Sequence, residues 1–239
     1  MNYLELLDWR RLVSELFAEL RARPTDAHTA AWFRGQKDLL FRRHPQSPLP
    51  EAQRRSFRHL AYWPFNPAAR VAAHFEPAEE AELTLPLSVQ TDLPAKRIGW
   101  LNFRYAGHDC RLAALWLQGY AGGLFVPFGD ATNGRETYGG GRYLLDTIKS
   151  AYLGADAASG SLILDFNYAY HPSCVYDPHW ACPLAPTENR LPLPIHAGER
   201  LPAGDVGRAS SQLIYSRPRL DGVRAGAVGQ VGRNIDPLA

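Results

Sequence analysis

His171, Cys174, His179 and Cys182 follow the order His-x2-Cys-x4-His-x2-Cys within HPSCVYDPHWACP (171–183). Two imidazoles and two thiols meet the ligand count of tetrahedral zinc, although in the common arrangement each close pair shares one ligand type. A thiol beside an imidazole is also the makings of an activated nucleophile. Two thiols with neither role form a disulfide or pack as small apolar groups. The residue types alone leave all four readings open.

Just upstream, LILDFNYAY (162–170) runs an apolar strand straight into Asp165. A carboxylate there must be paired, exposed or shifted in pKa, because burying a bare charge is expensive. Asp165 is therefore either an ion-pair partner of Arg135 or Arg142, or a general acid or base. Asn167, Tyr168, Tyr170 and Tyr176 add an amide and hydroxyls suited to a pocket wall, and equally suited to a well-bonded loop.

The other stretch with chemical potential is FGDATNGRETYGGGRYL (128–144). Asn133-Gly134 is a turn signal. Gly139, Gly140 and Gly141 permit positive φ and close approach of an anion to backbone N–H groups. Arg135 and Arg142 flank them with bidentate donors for carboxylate or phosphate. Neither the P-loop nor the dinucleotide fingerprint is present. The structural alternative is a glycine-rich turn whose arginines pair with Glu136 and Asp130.

These stretches need elements to hold them. Leu6, Trp9, Leu12, Leu16 and Leu20 recur at spacings of three and four, which predicts an amphipathic helix over residues 3–22. Pro24 ends it, and Thr25 or Asp26 caps a second helix to about Arg43, weakened locally by Gly35. HPQSPLP (44–50) interrupts helix, and Pro50 starts a short one to about Phe57. The basic run RRSFRH (54–59) reads as a solvated face.

After the proline-punctuated YWPFNP (62–67), β character predominates at 69–75, 81–89, 97–105, 110–117, 123–128 and 161–166. Turns at 106–109 and 119–122 connect neighbours without intervening helices. The expectation is a mainly β, α+β fold: N-terminal helices over 1–60, then an antiparallel β-barrel or sandwich-like core over 61–202. Residues 203–239, rich in Gly, Ala and Arg, read as a flexible tail in which only SQLIYS (211–216) has strand character.

With 239 residues, 46% hydrophobic and 21% charged, the chain can bury an ordinary core. A net charge of +2 with dispersed arginines gives no footprint for nucleic acid. No run of eighteen apolar residues predicts a membrane span, and the N-terminus lacks a signal-peptide apolar region, so a cytoplasmic location is expected. Thiols rather than disulfides are expected there.

HPQSPLP, YWPFNP, GLFVPFGDATNGRETYGGGRYL (123–144) and DFNYAYHPSCVYDPHWACPLAPTENRLPLPIHAGE (165–199) together resemble an uncharacterised bacterial family, domain of unknown function 1684 (DUF1684). The resemblance covers about residues 5–202. Its pattern falls on Arg135, Glu136, Thr137, Tyr138, Gly139, Gly140, Gly141 and Arg142. It falls also on Asp165, Asn167, Ala169, Tyr170, Pro172, Cys174, Tyr176, Cys182, Pro183, Glu188 and Asn189. The resemblance implies Asn where this chain has His171, and leaves the position of His179 unrestricted. A His2Cys2 site would then be private to this chain, so no metal is expected, while the two cysteines share a role.

The motif residues imply one pocket between the 133–143 loop and the 165–189 segment. In it Arg135 and Arg142 would hold a small carboxylate or phosphate over the glycines. Asp165 or Glu136 would be the acid or base, and Cys174 a lesser candidate nucleophile. Tyr138, Asn167, Tyr170, Tyr176, Cys182, Glu188 and Asn189 would line it. The competing reading is a non-catalytic binding or structural protein. The sequence names no reaction and no cofactor, and the partner it implies is a small molecule.

Overall fold

The computed structural model describes residues 2–202 except 90, 120, 121 and 157. The expected tail, including the 211–216 strand, lies outside the described residues. Helix α1 spans Tyr3–Ala22, and Asn2 caps it by accepting the N–H groups of Leu4 and Glu5. Helix α2 spans Ala27–Arg43, and the cap is Asp26, whose carboxylate accepts the Thr29 N–H at 2.7 Å. The third helix is a single turn, Glu51–Arg54, shorter than the predicted run to Phe57. None of the described helices is long and apolar enough to cross a membrane.

The rest is one antiparallel sheet of seven strands in the order β5-β4-β3-β2-β1-β7-β6. The strands are β1 Arg70–Pro86, β2 Asp92–Tyr105, β3 His108–Leu117, β4 Gly123–Phe128, β5 Arg142–Asp146, β6 Ala155–Asp156 and β7 Ser161–Asp165. The sheet does not close, so of the two expected architectures the barrel is absent and the sandwich-like one fits. The expected strands at 69–75 and 81–89 are one strand, interrupted by a register shift between Pro77 and Ala81. The β2–β3 hairpin turns at Ala106-Gly107, both at positive φ, as a two-residue loop requires. Strand β5 was hidden because its first residues, Arg142 and Tyr143, continue the glycine-rich loop.

At β3 both faces of the sheet are covered, as strand periodicity allows. In β3, Leu112 and Ala114 enter the main core with Leu101, Phe128, Leu164 and Phe166. Their neighbours Ala113, Leu115 and Leu117 enter a second core with Leu85, Phe125 and Tyr143. Helices α1 and α2 pack through Leu16, Phe17, Leu20, Ala30 and Phe33 onto Ala151 and Tyr168. Each such large side chain contributes about 1.5–3 kcal/mol on full burial. That packing sets α2 against the 168–176 segment, where the candidate site lies.

Candidate functional site

The glycine-rich loop is occupied by protein. Arg142 opens β5 opposite Phe128, and its guanidinium is completely buried. Nη2 donates to Asp130 Oδ2 and to the Ile195 carbonyl, both at 2.9 Å, while Nη1 donates to the carbonyls of Ala197 and Glu199. The group is flanked by the rings of Trp63 and Phe128. Arg142 thus clamps residues 195–199 to the sheet and is closed to a ligand, which corrects the expected anion clamp. The alternative pairing with Asp130 is the one observed.

Arg135 is exposed and donates to the Ala131 carbonyl at 3.1 Å. Glu136 faces His196 at 3.5 Å near the surface. Gly141 has φ +98°, and a Cβ there would lie 2.6 Å from the Phe128 carbonyl oxygen, so the residue must be glycine. Above Gly140 stand the Tyr138 ring and Leu184, and Gly140 accepts the Ala185 N–H at 2.9 Å. Over Gly140 and Gly141 the expected open anion cradle is therefore filled by residues 184–185.

The 165–189 motif residues are also engaged. Asp165 is 1% exposed; its Oδ1 accepts the backbone and side-chain N–H groups of Asn167, and its ion-pair partner is Arg70 at 3.4 Å. The expected partners Arg135 and Arg142 do not reach it. Burial raises its pKa, against the pull of Asn167 and Arg70. Asn167 exchanges two 2.8 Å bonds with the backbone of Asn66, which pins the YWPFNP loop. Asn189 bonds the Ala113 N–H, the Ala113 carbonyl and the Pro127 carbonyl, filling a gap between strands with one amide. Glu188 pairs with Arg97 at the surface at 3.3 Å.

Tyr138, Cys174 and Cys182 share a small buried cluster. His171 is buried between Tyr138 and Glu199. Its Nε2 accepts the Tyr138 N–H at 3.4 Å and its Nδ1 lies 3.7 Å from Glu199 Oε2. His179 is exposed against Trp180. Among the described residues no three His, Cys, Asp or Glu side chains group as metal ligands.

What the sequence reading missed is the node around Glu199. This side chain is 1% exposed and is bonded by Lys37 Nζ, by Tyr62 OH at 3.3 Å, by Tyr176 OH at 2.9 Å and by the His171 N–H at 2.8 Å. Burial works to raise its pKa, but Lys37 and His171 more than offset this and hold it below the ordinary value. Burial drives His171 down to about 4 and, with Glu199, drives the Tyr62 and Tyr176 hydroxyls well up. At neutral pH the node is a Lys37–Glu199 ion pair with a neutral imidazole whose Nδ1–H faces Glu199. Gly198 delivers Glu199 inward: its φ is +77°, and a Cβ would strike the carbonyls of Phe166 and Ala169 at 2.5 and 2.6 Å. The sequence signal for the node was Lys37 itself, on the helix face of Phe33 and Phe41 at steps of four.

His171 and Tyr176 separate two spaces. The inner one, of about 70 Å³, is walled by Trp9, Phe17, Phe33 and Phe41, with Lys37 and Lys149 over the Tyr170 ring at 4.7 and 5.8 Å. Lys149 pairs there with buried Asp146 at 3.4 Å. The outer one is a cleft of about 370 Å³ walled by Leu49, Phe57, Leu60, Val175 and Leu201, with Gln53, His59 and Arg200 as its polar groups. Arg200 is fixed through its backbone N–H to the Ala61 carbonyl at 2.9 Å. Its Nε is enclosed without a hydrogen-bond partner, and among the described residues no carboxylate pairs with it. This contrasts with Arg97 and Arg142, each of which has one.

An open seven-stranded antiparallel sheet, clamped by buried Arg142 and two bridging asparagines, with an ionic node under a surface cleft, defines the class of protein. The chain belongs to the family described as Protein of unknown function (DUF1684), whose model matches residues 55–200. That range is narrower than the 5–202 of the motif resemblance. It includes Glu199, His171, Tyr176 and Arg200 and leaves out Lys37. Among solved structures the chain is similar to an uncharacterised protein of Haloarcula marismortui determined by NMR, at 34% identity and a TM-score of 0.54. The similarity covers 72% of this chain and 91% of that one. No curated protein matches the chain.

Proposed function

We propose that the chain binds a small carboxylate or phosphate molecule in the outer cleft, with Arg200 as its anchor. One observation carries the reading: a guanidinium with no carboxylate partner among the described residues lines a cleft whose volume suits a small ligand. Arginine offers bidentate geometry to both oxyanions. The apolar wall of Leu49, Phe57, Leu60 and Val175 favours a ligand with an apolar body behind its anionic group. Gln53 and His59 stand at the polar rim. The role first expected of Arg135 and Arg142 thus passes to another arginine.

The reading is one of binding rather than turnover. Asp165 and Cys174 lie on one stretch and Glu136 on another, and each is engaged by protein partners. Thermal-shift and calorimetric titration with inorganic phosphate and with benzoate tests the proposal. Saturable stabilisation is expected for the native chain and for Arg135→Met, and none for Arg200→Met. Equal stabilisation of all three would refute the assignment.

A further inference from the structure

Cys174 and Cys182 close the two ends of a nine-residue segment. Cys182 is fixed from outside: its N–H donates to Ser88 Oγ at 3.0 Å, and its carbonyl accepts the Ser88 N–H at 2.8 Å. Cys174 sits in the one-turn 3-10 helix Ser173–Val175, and its N–H donates to Cys182 Sγ at 3.2 Å. The sulfur of one cysteine therefore rests against the backbone of the other. Trp180 and Leu184 pack around both, and none of the three cysteines is in a disulfide.

A sulfur one hydrogen bond from the partner's backbone nitrogen is about one side-chain rotation from S–S bonding distance. Cys110 has no such neighbour; it lies on β3 in the main core, with its Sγ toward the His108 carbonyl at 3.7 Å. The described residues supply no third ligand that would make the pair a metal site. The intervening turn is held by its own bonds, Asp177 accepting the His179 N–H at 2.9 Å and the Trp180 N–H bonding back to the Asp177 carbonyl.

We infer that Cys174 and Cys182 form a reversible disulfide when the folded chain meets a peroxide. One thiol sulfur attacks a peroxide oxygen, the O–O bond breaks, and water leaves a sulfenic acid. The second sulfur then displaces that hydroxyl as a second water, and the S–S bond forms. Two electrons pass from the two sulfurs to the peroxide, and both thiol protons end in water. The inference does not depend on the ligand proposed for the cleft. Its consequence for that site is direct, because the closed loop carries Tyr176, which bonds Glu199 and lines the cleft.

The folded chain is treated with hydrogen peroxide, quenched, denatured, alkylated and mapped by mass spectrometry. The expected product is a Cys174–Cys182 link two mass units below the dithiol, reversed by dithiothreitol, with Cys110 fully alkylated. In Cys182→Ser, which keeps an acceptor for the Cys174 N–H, Cys174 is expected not to link. Recovery of both thiols, their separate oxidation to sulfinic acids, or a link to Cys110 would each overturn the inference.

Discussion

Lys37 in the middle of α2 and Glu199, 162 residues later, form a buried ion pair, the lysine side chain 14% exposed and the carboxylate 1%. It joins the helices, which lie outside the family match, to the last described loop of the matched region. Removing one partner of such a pair strands the other charge. Lys37→Met is expected to cost about 3–5 kcal/mol in urea unfolding. Lys37→Met with Glu199→Gln should cost much less than Lys37→Met alone. A double variant as unstable as the single one would show that the pair does not act as a unit.

His171 makes a pH prediction of definite sign. Between its ordinary value of 6.5 and its folded value of about 4, the unfolded chain holds an extra proton at this position. Stability therefore falls as pH falls through that window, by roughly 3 kcal/mol at its lower end, and is unaffected above it. Glu199, held below the ordinary carboxylate range, adds a loss in the same direction at lower pH. Half-buried Asp38 and buried Asp146 and Asp165, all raised, act oppositely. The difference between the native chain and His171→Asn isolates the imidazole, and its slope from pH 7 to 4 should reveal it. Parallel stability curves would contradict the neutral, buried His171.

The two motif arginines should behave very differently despite their shared loop. Arg142→Lys loses the planar fork that reaches three carbonyls and Asp130, and is expected to cost about 3 kcal/mol or more. Arg135→Ala removes one surface bond and should change stability by no more than about 0.5 kcal/mol. Chemical denaturation of both variants checks the contrast.

Asn189→Leu leaves the Ala113 and Pro127 backbone groups unpaired between strands. An expected cost of about 2–4 kcal/mol follows from stranding two or three buried polar groups. Loss of amide-exchange protection at Ala113 would accompany it.

Much of the fold was legible where period and punctuation speak: the 3–22 helix, the turn at 106–109 and the β segments at 97–105 and 110–117 on either side of it. Strand β5 was not, because its five residues are all buried and show no alternation. The candidate site was legible only as a set of motifs. Arg142, Asp165, Asn167 and Asn189 carried the pattern, yet each bonds protein, since polar groups buried in a sheet must be satisfied. Arg200 and Glu199 gave no periodic signal; their setting arises from the Gly198 turn and from contacts more than a hundred residues distant in sequence.

The most direct test of an anion site at Arg200 is an amide NMR titration of the folded chain with phosphate and with benzoate. Shifts at Arg200, Leu201, Leu60 and Val175 that saturate, and that vanish in Arg200→Met, are the predicted result. Shifts centred on Arg135 and Gly139–Gly141, or none at all in the cleft, would contradict it.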